Sequence, residues 1–422
     1  MIPLPRLREA PEEVIAALAK KGMDAGPLVQ QVLFYDEERR RLQKAIDNTR
    51  AQLNQLARAI GEAMRTQNPH PAEALKAQSA ALKEELQSTE QKLKDAEAKL
   101  EEILIRLPNP PHPSVPEGRS AADNVVVYQN DRPPLPPDGR LPHWELAEKR
   151  RLIDFERGAK VTGSGFPFYV GDGAKLQRAL IQFFLEEAEK AGYIEMEAPF
   201  LVNTDTAFGT GQLPDKDAQM YYIPLDELYL IPTAEVPLTN YFRGEILEES
   251  QLPIKICGYS PCFRREAGSY GKDVRGLNRL HQFDKVEIVQ IVKPEDSYTV
   301  LEEMRHYVQG LVEKLELSFR TVLLCGGDMS FASAKTYDVE VWSPAQQRWL
   351  EVSSISNFET FQSNRMKLRY RKGKSTELVH TLNGSALALP RIVAAILETH
   401  QLPDGRIRVP EVLQPYLRKA YL

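Results

Sequence analysis

The sequence predicts an α+β fold, in which a largely antiparallel β-sheet flanked by helices follows a long antiparallel coiled-coil arm. Residues 32–107 are dense in helix-forming residues with a regular apolar repeat. Residues 108–142 are rich in proline, and after residue 143 short apolar or alternating segments are separated by only a few amphipathic helices. A doubly wound sheet would need a strict alternation of strands and helices, which this last segment lacks.

Composition indicates a globular chain with two or three domains. The 422 residues are 42% hydrophobic, which is enough for a core without disulfide support. No run of eighteen apolar residues and no apolar signal stretch near Met1 occur, so we expect a soluble, cytoplasmic protein without a membrane segment. The net charge of −5 gives no general indication of nucleic-acid binding, so any RNA contact must come from local patches. The three cysteines include no Cys-x-x-Cys pair and indicate neither a disulfide framework nor a zinc site.

The first predicted domain spans residues 1–107. It opens with a short helix from Pro11 to Lys21 that Gly22 ends. From about residue 30 to residue 107, apolar positions then recur at steps of three and four, as in the seam of a left-handed coiled coil. The two runs of seam positions are Val32, Tyr35, Arg39, Leu42, Ile46, Thr49, Leu53, Leu56, Ile60 and Ala63, and Leu75, Ser79, Leu82, Leu86, Thr89, Leu93, Ala96, Leu100, Ile103 and Leu107. The intervening "GEAMRTQNPHPAE" contains helix breakers, so the sequence predicts two antiparallel helices of about thirty residues, roughly 45 Å long.

The residues of the arm leave its function open. A solvated coiled coil that dimerises or spaces domains is one interpretation. The other is an arm whose basic side chains lie along the phosphates of an RNA. The basic residues are Arg39, Arg40, Arg41, Lys44, Arg50, Arg58 and Arg65.

After the proline-rich linker of residues 108–142, residues 143–422 form the predicted second domain. Its clearest helix covers residues 174–193, because Leu176, Leu180, Ile181, Phe184 and Ala188 form one apolar stripe. The predicted strands lie at 194–202, 226–236, 254–266, 283–292, 321–327, 337–344 and 349–356.

The segment "FRREAGSYGKDVRGLNRLHQF", residues 263–283, crowds cations beside a turn. In an extended chain Arg264 and Glu266 share one face, and Phe283, Lys285 and Glu287 share one face of the returning strand. If the two strands pair, these side chains form a ligand-binding surface. The intervening turn could bring further cations onto a polyphosphate, and its glycines and basic residues are Gly268, Gly271, Lys272, Arg275, Gly276 and Arg279. It matches neither of the common glycine-rich phosphate loops.

Two later segments carry further candidate residues. In "HTLNGSALALPRIVAAILETHQ", residues 380–401, Asn383 and Ser385 lie in a predicted turn before an apolar helix whose first turns contain Arg391. Such an arginine requires an anion, which is either a ligand or an internal carboxylate. In "LEVSSISNF", Glu351 and Ser354 offer oxygen ligands of the kind that Mg²⁺ accepts.

Together these segments resemble the three signature motifs of the class II aminoacyl-tRNA synthetases, and specifically those of the bacterial-type seryl-tRNA synthetase family. "GYIEMEAPFLV" is similar to motif 1, through which that family dimerises, "FRREAGSYGKDVRGLNRLHQFDKVE" to motif 2 and "TLNGSALALPRIVAAILE" to motif 3. "TAEVPLTN", "FGTGQLP", "GDMSFASAKTYDVEVW" and the long arm resemble features of the seryl members. The resemblance covers essentially the whole chain and implies a class II synthetase sheet flanked by helices and preceded by the arm.

The resemblance also implies an activity and partners. The expected enzyme is an ATP-dependent ligase that activates L-serine to seryl-adenylate with release of pyrophosphate, and then transfers serine to tRNA(Ser) and to selenocysteine tRNA. ATP is the expected co-substrate, Mg²⁺ the expected cofactor and a cytoplasmic homodimer the expected assembly. A paralogue that charges a carrier protein and a non-catalytic RNA-binding protein are the alternatives. The intact arm argues against the first, and the presence of Arg264, Glu287 and Arg391 argues against the second.

The resemblance assigns roles residue by residue. The implied catalytic residues are Arg264 and Arg391. The implied serine site comprises Thr233, Ala234, Glu235, Arg264, Glu287, Asn383 and Ser385. The implied ATP site comprises Arg264, Arg265, Glu266, Arg279, Leu280, Phe283, Glu351, Val352, Ser353, Ser354 and Arg391, with Glu351 and Ser354 as the implied Mg²⁺ ligands. The implied tRNA contacts are Arg39, Arg40, Arg41, Lys44 and Arg58.

Overall fold

The computed structural model describes residues 1–65, 69–215, 218–266 and 275–422. Within the predicted basic turn, Gly268, Gly271 and Lys272 therefore lie outside the described residues. The chain divides into two compact units, of which one comprises residues 2–19 and 23–108 and the other comprises Met1, residues 20–22 and residues 109–422. The predicted limits of the three domains, at residues 1–107, 108–142 and 143–422, stay a prediction. No helix in the described ranges is long and apolar enough to cross a membrane.

The first unit is helical. Its helices are α1 (Leu4–Glu9), α2 (Pro11–Ala19), α3 (Gly26–Arg65) and α4 (Pro69–Leu104). The predicted coiled-coil arm is confirmed, and Arg50 of α3 forms an ion pair of 2.8 Å with Glu90 of α4. Both helices are longer than predicted, since α3 has 40 residues and extends for roughly 60 Å. The helix-forming residues that follow Gly61 outweigh the cost of that glycine, so α3 continues to Arg65.

The second unit contains short helices and the strands. Its helices are α5 (His143–Lys149), α6 (Phe155–Val161), α7 (Asp172–Lys190), α8 (Thr204–Thr210), α9 (Glu235–Asn240), α10 (Ser297–Lys314), α11 (Phe361–Met366), α12 (Leu389–Thr399) and α13 (Gln414–Leu417). Its strands are β1 (Val125–Gln129), β2 (Ile153–Asp154), β3 (Phe168–Tyr169), β4 (Ile194–Glu195), β5 (Leu201–Asn203), β6 (Tyr222–Ile223), β7 (Leu228–Leu230), β8 (Ile246–Glu248), β9 (Ile254–Phe263), β10 (Gln282–Val292), β11 (Phe319–Leu323), β12 (Lys335–Ser343), β13 (Arg348–Asn357), β14 (Arg369–Lys372), β15 (Ser375–Leu378) and β16 (His380–Ala388).

The central sheet has eight described strands in the order β1-β11-β12-β13-β16-β10-β9-β4. Every neighbouring pair is antiparallel except β4 with β9, which confirms the predicted α+β fold with a largely antiparallel sheet. The predicted linker is not wholly extended loop, because β1 lies within it and forms one edge of this sheet. Smaller sheets are formed by β5-β7-β6, by β15-β14-β8 and by β2-β3.

One face of the central sheet packs on helices and the other carries polar side chains. Leu180 and Phe184 of α7 are buried against the first face, as the apolar stripe predicted. Helices α10 and α12 contribute to the same core. On β10, Val286 and Ile288 join this core, whereas Glu287 between them faces the opposite side, because successive side chains of a strand alternate.

Three predictions of local structure were wrong in detail. The predicted strand 194–202 is two short strands, β4 and β5, separated by a segment with Pro199, which has no N–H group for a ladder. The predicted strand 226–236 is strand only in β7, because Pro232 interrupts it and α9 begins at Glu235. The predicted strand 254–266 ends at Phe263, and the left-handed backbone of Glu266, with φ of +48°, breaks the alternation.

The predicted turn at Asn383 and Ser385 is also wrong, since both residues lie within β16. An Asn-Gly-Ser sequence is typical of a turn. Here, however, Gly384 pairs with Ile288 of β10 on one side and with Ile355 of β13 on the other. Pairing on both sides outweighs the local preference, and the strand consequently presents Asn383 and Ser385 on the polar face of the sheet.

Candidate active site

The polar face of the central sheet contains a cavity of about 840 Å³. Strands β10, β12, β13 and β16 form its floor, and the start of α12 and residues 277–280 contribute to its wall. The predicted serine-site and ATP-site residues that line it are Thr233, Glu235, Arg264, Glu266, Arg279, Leu280, Phe283, Glu287, Glu351, Val352, Ser353, Ser354, Asn383, Ser385 and Arg391. The structure thus brings together side chains that are up to 158 residues apart in sequence, as from Thr233 to Arg391.

The pairing of β9 with β10 fixes the position of Arg264. Phe263 lies opposite Gln282, and the next residue donates its backbone N–H to the carbonyl of His281 at 2.9 Å. Arg264 is therefore on the face of Phe283, and its guanidinium carbon lies 5.2 Å from the centre of that ring. Of its three guanidinium nitrogens, only Nε has a hydrogen-bond partner in the described part of the chain, the carbonyl oxygen of Pro232 at 3.3 Å. Both terminal nitrogens can consequently bind an anion in the cavity.

Arg391 lies in the first turn of α12 and forms hydrogen bonds to two other parts of the cavity. Its Nε donates to the backbone oxygen of Asn278 at 3.0 Å, and its Nη1 donates to the backbone oxygen of Glu351 at 2.8 Å. The carboxylate of Glu351 lies 3.6 Å from the same Nη1. Arg279 pairs with Glu266 at 2.9 Å. Both arginines thus have acidic neighbours, but their partly exposed guanidinium groups also face the cavity.

A second part of the cavity contains two buried glutamates. Glu287 is 2% exposed and accepts a hydrogen bond from the hydroxyl of Thr233 at 3.2 Å. Its carboxylate also lies 2.5 Å from Nζ of Lys285, which the sequence placed on the same face without assigning it a role. Lys285 compensates the charge of Glu287, so this carboxylate is held in place by a cation and a hydroxyl group.

Glu235 has no such cation beside it within hydrogen-bond distance in the described residues. Its Oε1 accepts a hydrogen bond of 2.6 Å from the amide of Gln362, which also donates to the carbonyl of Thr210 and accepts from the hydroxyl of Thr381. Burial, followed by the negative charge of Glu287, raises the pKa of Glu235 to about 7. Sequence reasoning missed Gln362, because no local pattern distinguishes this glutamine on α11.

A third part of the cavity combines Glu351 and Ser354 with a carboxylate that sequence reasoning missed. Asp338 of β12 pairs in register with Ser354 of β13. Burial, followed by the nearby charge of Glu351, raises the pKa of Asp338 well above its usual range. Its Oδ1 is buried without a hydrogen-bond partner in the described residues. Among the described residues no group of three or more His, Cys, Asp or Glu side chains is arranged to hold a metal ion. This part of the cavity therefore offers the carboxylates of Asp338 and Glu351 and the hydroxyl group of Ser354 as oxygen ligands.

Two predicted site residues do not line the cavity. Arg265 does not line it, and its Nε donates to the carbonyl of Met220 while its guanidinium carbon lies 4.8 Å from the ring centre of Tyr221. Ala234 is 1% exposed and packs in an apolar cluster with Ile256 and Val289. For these two residues, only a backbone contact to a ligand would be compatible with the side-chain positions.

The basic residues of the arm include several internal ion pairs. Arg39 and Arg40 both bind the buried carboxylate of Asp36, at 3.0 and 3.3 Å. Arg41 binds Glu38 at 2.8 Å. Asp36 also binds Arg8 of α1 at 3.3 Å, which the seam pattern did not predict. Part of the positive charge expected to face RNA is therefore compensated within the helix.

Comparisons with known proteins identify the family. Residues 222–400 match the family model of the class II tRNA synthetase core domain (G, H, P, S and T), and residues 1–111 match that of the seryl-tRNA synthetase N-terminal domain. The serine–tRNA ligase of Salinibacter ruber is 53% identical over 418 residues, which cover 99% of this chain and 98% of that protein.

Solved structures extend the comparison to the fold. The crystal structure of seryl-tRNA synthetase from Pyrococcus horikoshii complexed with ATP is 34% identical, with a TM-score of 0.91 over 100% of this chain and 99% of that chain. M. kandleri SerRS, solved in complex with A. aeolicus tRNASec, is 19% identical, with a TM-score of 0.59 over 79% of this chain and 68% of that chain, and shares the fold. The chain therefore belongs to the serine–tRNA ligase family, and it is an ATP-dependent aminoacyl-tRNA synthetase.

Proposed function

We propose that the cavity activates L-serine with ATP and then transfers the seryl group to tRNA(Ser). In the first step a serine carboxylate oxygen attacks the α-phosphorus of ATP, the bond to the bridging oxygen breaks, and pyrophosphate leaves. In the second step the terminal ribose hydroxyl of the tRNA attacks the acyl carbon and AMP leaves. The observation that carries the proposal is the presence of Arg264 and Arg391 in the same cavity as Glu235 and Glu287.

The charges in the cavity complement both the ammonium group and the carboxylate group of serine. The ammonium group fits beside Glu235 and Glu287, which together have only Lys285 as a compensating cation within 4.0 Å in the described residues. The carboxylate group fits beside Arg264, whose terminal nitrogens are available. An arginine in this position can bridge the serine carboxylate and the α-phosphate, hold them at reacting distance and stabilise the charge that develops between them.

The triphosphate and adenine of ATP fit the other part of the cavity. Arg279 and Arg391 supply cations for the outer phosphates, and the first turn of α12 adds the positive end of its helix dipole. Phe283 and the planar guanidinium of Arg391 offer surfaces between which adenine can stack. Glu266 beside Arg279 provides an acceptor for an adenine N–H group.

Mg²⁺ is the cofactor that Glu351, Ser354 and Asp338 would hold. The orphaned oxygen of Asp338 and the neighbouring carboxylate and hydroxyl are hard oxygen ligands, and a site with few protein ligands suits an ion that keeps waters and binds phosphate oxygens. When bound, the ion supplies positive charge that neutralises the phosphate oxygens. A bound cation would favour the ionised form of Asp338, and so oppose the burial and the charge of Glu351 that raise the pKa of Asp338.

Polar pairing explains a preference for serine. Thr233, Glu287, Asn383 and Ser385 place hydroxyl, carboxylate and amide groups in the amino-acid part of the cavity. Alanine or glycine would leave groups that face the serine hydroxyl without a partner, which is a large penalty in a buried pocket. Threonine has the hydroxyl group and must be rejected by the space that its extra methyl group requires.

The arm is proposed to bind the backbone of tRNA(Ser). Arg39, Arg40, Arg41, Lys44 and Arg58 are the proposed phosphate contacts, and an approaching phosphate would compete with Asp36 and Glu38 for the first three. We also propose selenocysteine tRNA as a substrate, which the M. kandleri SerRS complex with A. aeolicus tRNASec supports.

A cytoplasmic homodimer is the proposed assembly. The segment that resembles motif 1 exposes large apolar side chains, with Ile194 65% exposed and Leu201 41% exposed. Ile194 lies in β4, the edge strand of the central sheet. An exposed apolar edge of this kind is suited to pairing with a second copy of the chain.

Serine-dependent exchange of labelled pyrophosphate into ATP tests the proposed activation step. The wild-type protein should exchange with serine, and Arg264→Ala should reduce the rate by a factor of about a thousand, because the variant loses both a substrate contact and transition-state stabilisation. Arg265→Ala is the matched control, since this neighbouring arginine does not line the cavity. Equal loss in both variants would contradict the role of Arg264.

A further inference from the structure

The carboxylate of Glu398 is the centre of a buried hydrogen-bond network next to the ATP part of the cavity. Glu398 lies on α12 seven residues after Arg391, so the two side chains share one face of the helix. It is 0% exposed. Its oxygens accept hydrogen bonds from Nδ1 and the backbone N–H of His143, from the hydroxyl of Ser343, from the backbone N–H of Ala345 and from the amide of Gln346.

Two of these donors reach the segment that contributes Arg279 to the cavity. Nε2 of His143 accepts the backbone N–H of Leu277 at 2.9 Å. Oε1 of Gln346 accepts the side-chain amide of Asn278 at 2.9 Å. Because Glu398 accepts from Nδ1 of His143 at 2.8 Å, that nitrogen carries the proton and Nε2 is the acceptor that the Leu277 N–H requires.

The close approach of His143 also constrains the backbone at Gly276. This residue has φ of +64°, a conformation that suits glycine. A Cβ atom at this position would lie 2.3 Å from Nε2 of His143, which is closer than any side chain tolerates. The imidazole ring of His143 therefore restricts the backbone position of residues 276 and 277, where the chain reaches the cavity wall.

The same network includes Arg391. Nε of Arg391 donates a hydrogen bond to the backbone carbonyl of Asn278 at 3.0 Å. The side-chain amide of Asn278 donates to Gln346, and the amide of Gln346 donates to Glu398, which lies on the same helix as Arg391. Leu277, Asn278 and Arg279 line the cavity, whereas Glu398 and His143 do not. The network thus connects a charge outside the cavity to the two arginines proposed to bind the outer phosphates.

We propose that Glu398, acting through His143 and Gln346, is a positioning residue for ATP: it fixes residues 277–279 and thereby the placement of Arg279 and Arg391. This inference rests on the proposed roles of those two arginines in ATP binding. Serine does not depend on this network, because the serine part of the cavity is built from Thr233, Glu235 and Glu287 on other elements.

The ionisation of Glu398 is consistent with this role. Burial acts to raise the pKa of Glu398, but the hydrogen bonds from His143 and Ser343 outweigh it and hold the pKa below its usual value. Removal of the negative charge leaves buried N–H and O–H donors with fewer acceptors, so the backbone at 277–279 loses its support.

Steady-state pyrophosphate exchange with separate KM values for ATP and serine tests the proposal. Gln346→Met keeps the side-chain volume and removes the link to Asn278, and Glu398→Gln keeps the shape and removes the charge. Both should raise the KM for ATP about tenfold, as expected for the loss of one hydrogen bond, and change the KM for serine less than about twofold. His143→Leu should have the same effect, and His143→Gln, which can donate and accept, should recover part of it.

His400→Leu is the matched control, since it removes a buried imidazole hydrogen bond to Leu315 at the same end of α12 as Glu398 but outside the network that reaches residues 277–279. It should leave the KM for ATP unchanged. The proposal is overturned if the KM for ATP is unchanged in Gln346→Met and Glu398→Gln, if the KM values for ATP and serine rise together, or if His400→Leu gives the same rise. If the Glu398→Gln variant does not fold, the KM values of the Gln346→Met variant for ATP and serine decide the test. Absence of serine-dependent exchange in the wild type would instead contradict the proposed function itself.

Discussion

Glu235 and Glu287 are two buried carboxylates in one pocket, and their neighbours affect them differently. Lys285 lies 2.5 Å from Glu287, whereas Glu235 accepts a hydrogen bond from the neutral amide of Gln362. Burial and the charge of Glu287 therefore raise the pKa of Glu235 to about 7. A serine ammonium beside Glu235 would provide a cation within hydrogen-bond distance, which this carboxylate lacks among the residues that the structure describes.

The KM for serine should consequently depend on pH. Below its pKa of about 7 Glu235 is mostly protonated, and above it the carboxylate can pair with the serine ammonium. We expect the KM for serine to fall by about tenfold from about pH 6 to about pH 8, as the ionised fraction rises by that factor. Exchange rates at saturating ATP measure this, with the KM for ATP over the same range as the control. Glu235→Gln should bind serine weakly and lack the pH dependence, and a flat profile in the wild type would contradict this role of Glu235.

Sequence analysis identified residues of the cavity where they lie in a local motif, and it missed them where their position depends on strand pairing or on contacts between distant segments. Arg264, Glu287 and Arg391 were found from residue type, spacing and family resemblance, and the structure places all three at the cavity. Asp338 was missed because its relation to Ser354 comes from the register of β12 and β13, which no local pattern specifies. Gln362 was missed because it reaches Glu235 across 127 residues of sequence.

At the scale of elements, periodic patterns predicted well and isolated polar sequences predicted poorly. The coiled-coil seam and the stripe of α7 were confirmed, because repeated apolar positions report burial directly. The Asn-Gly-Ser sequence suggested a turn, but pairing of β16 with both β10 and β13 made it strand. The turn propensity of these residues does not predict the conformation of a central strand, because pairing with the neighbouring strands determines it.

The arm provides a prediction at this scale. Residues 51–89 lie beyond the Arg50–Glu90 ion pair, so replacing them with a short Gly-Ser turn should shorten the hairpin and leave its base. Serine-dependent exchange should stay within about twofold of the wild type. Charging of tRNA(Ser) should fall by up to about tenfold, because the replacement removes the proposed phosphate contact of Arg58 while Arg39, Arg40, Arg41 and Lys44 stay in the retained base.

Aminoacylation at limiting tRNA, compared with exchange on the same preparation, measures the separation. The exchange rate serves as the internal control for folding of the catalytic unit. Unchanged charging would contradict an RNA-binding role for the outer arm and favour the interpretation of the arm as a spacer.

At the scale of the whole molecule, the residues that line the cavity all come from the unit of residues 109–422. That unit also contains the motif 1 segment with exposed Ile194 and Leu201. The proposed activation site and the proposed dimer surface thus belong to one unit, while the proposed tRNA-binding residues belong to the helical unit.

Assembly provides the prediction for this scale. Ile194→Asp should convert a dimer to a monomer, because a charge on an apolar edge cannot be buried in a symmetric interface without a partner. Sedimentation equilibrium measures the mass. Leu225→Asp is the control, since Leu225 is 93% exposed and lies outside the motif 1 segment. A wild-type monomer, or a dimer that survives Ile194→Asp, would contradict the proposed interface.

The most direct measurement is pyrophosphate exchange compared across serine, threonine, alanine and glycine. Arginines and carboxylates arranged to hold ATP beside a small hydroxylated amino acid should give exchange with serine at least about a hundredfold faster, per unit KM, than with alanine or glycine. Threonine should also be poor, because its extra methyl group has to be accommodated. Absence of exchange with serine, or alanine exchanging as well as serine, would contradict the account.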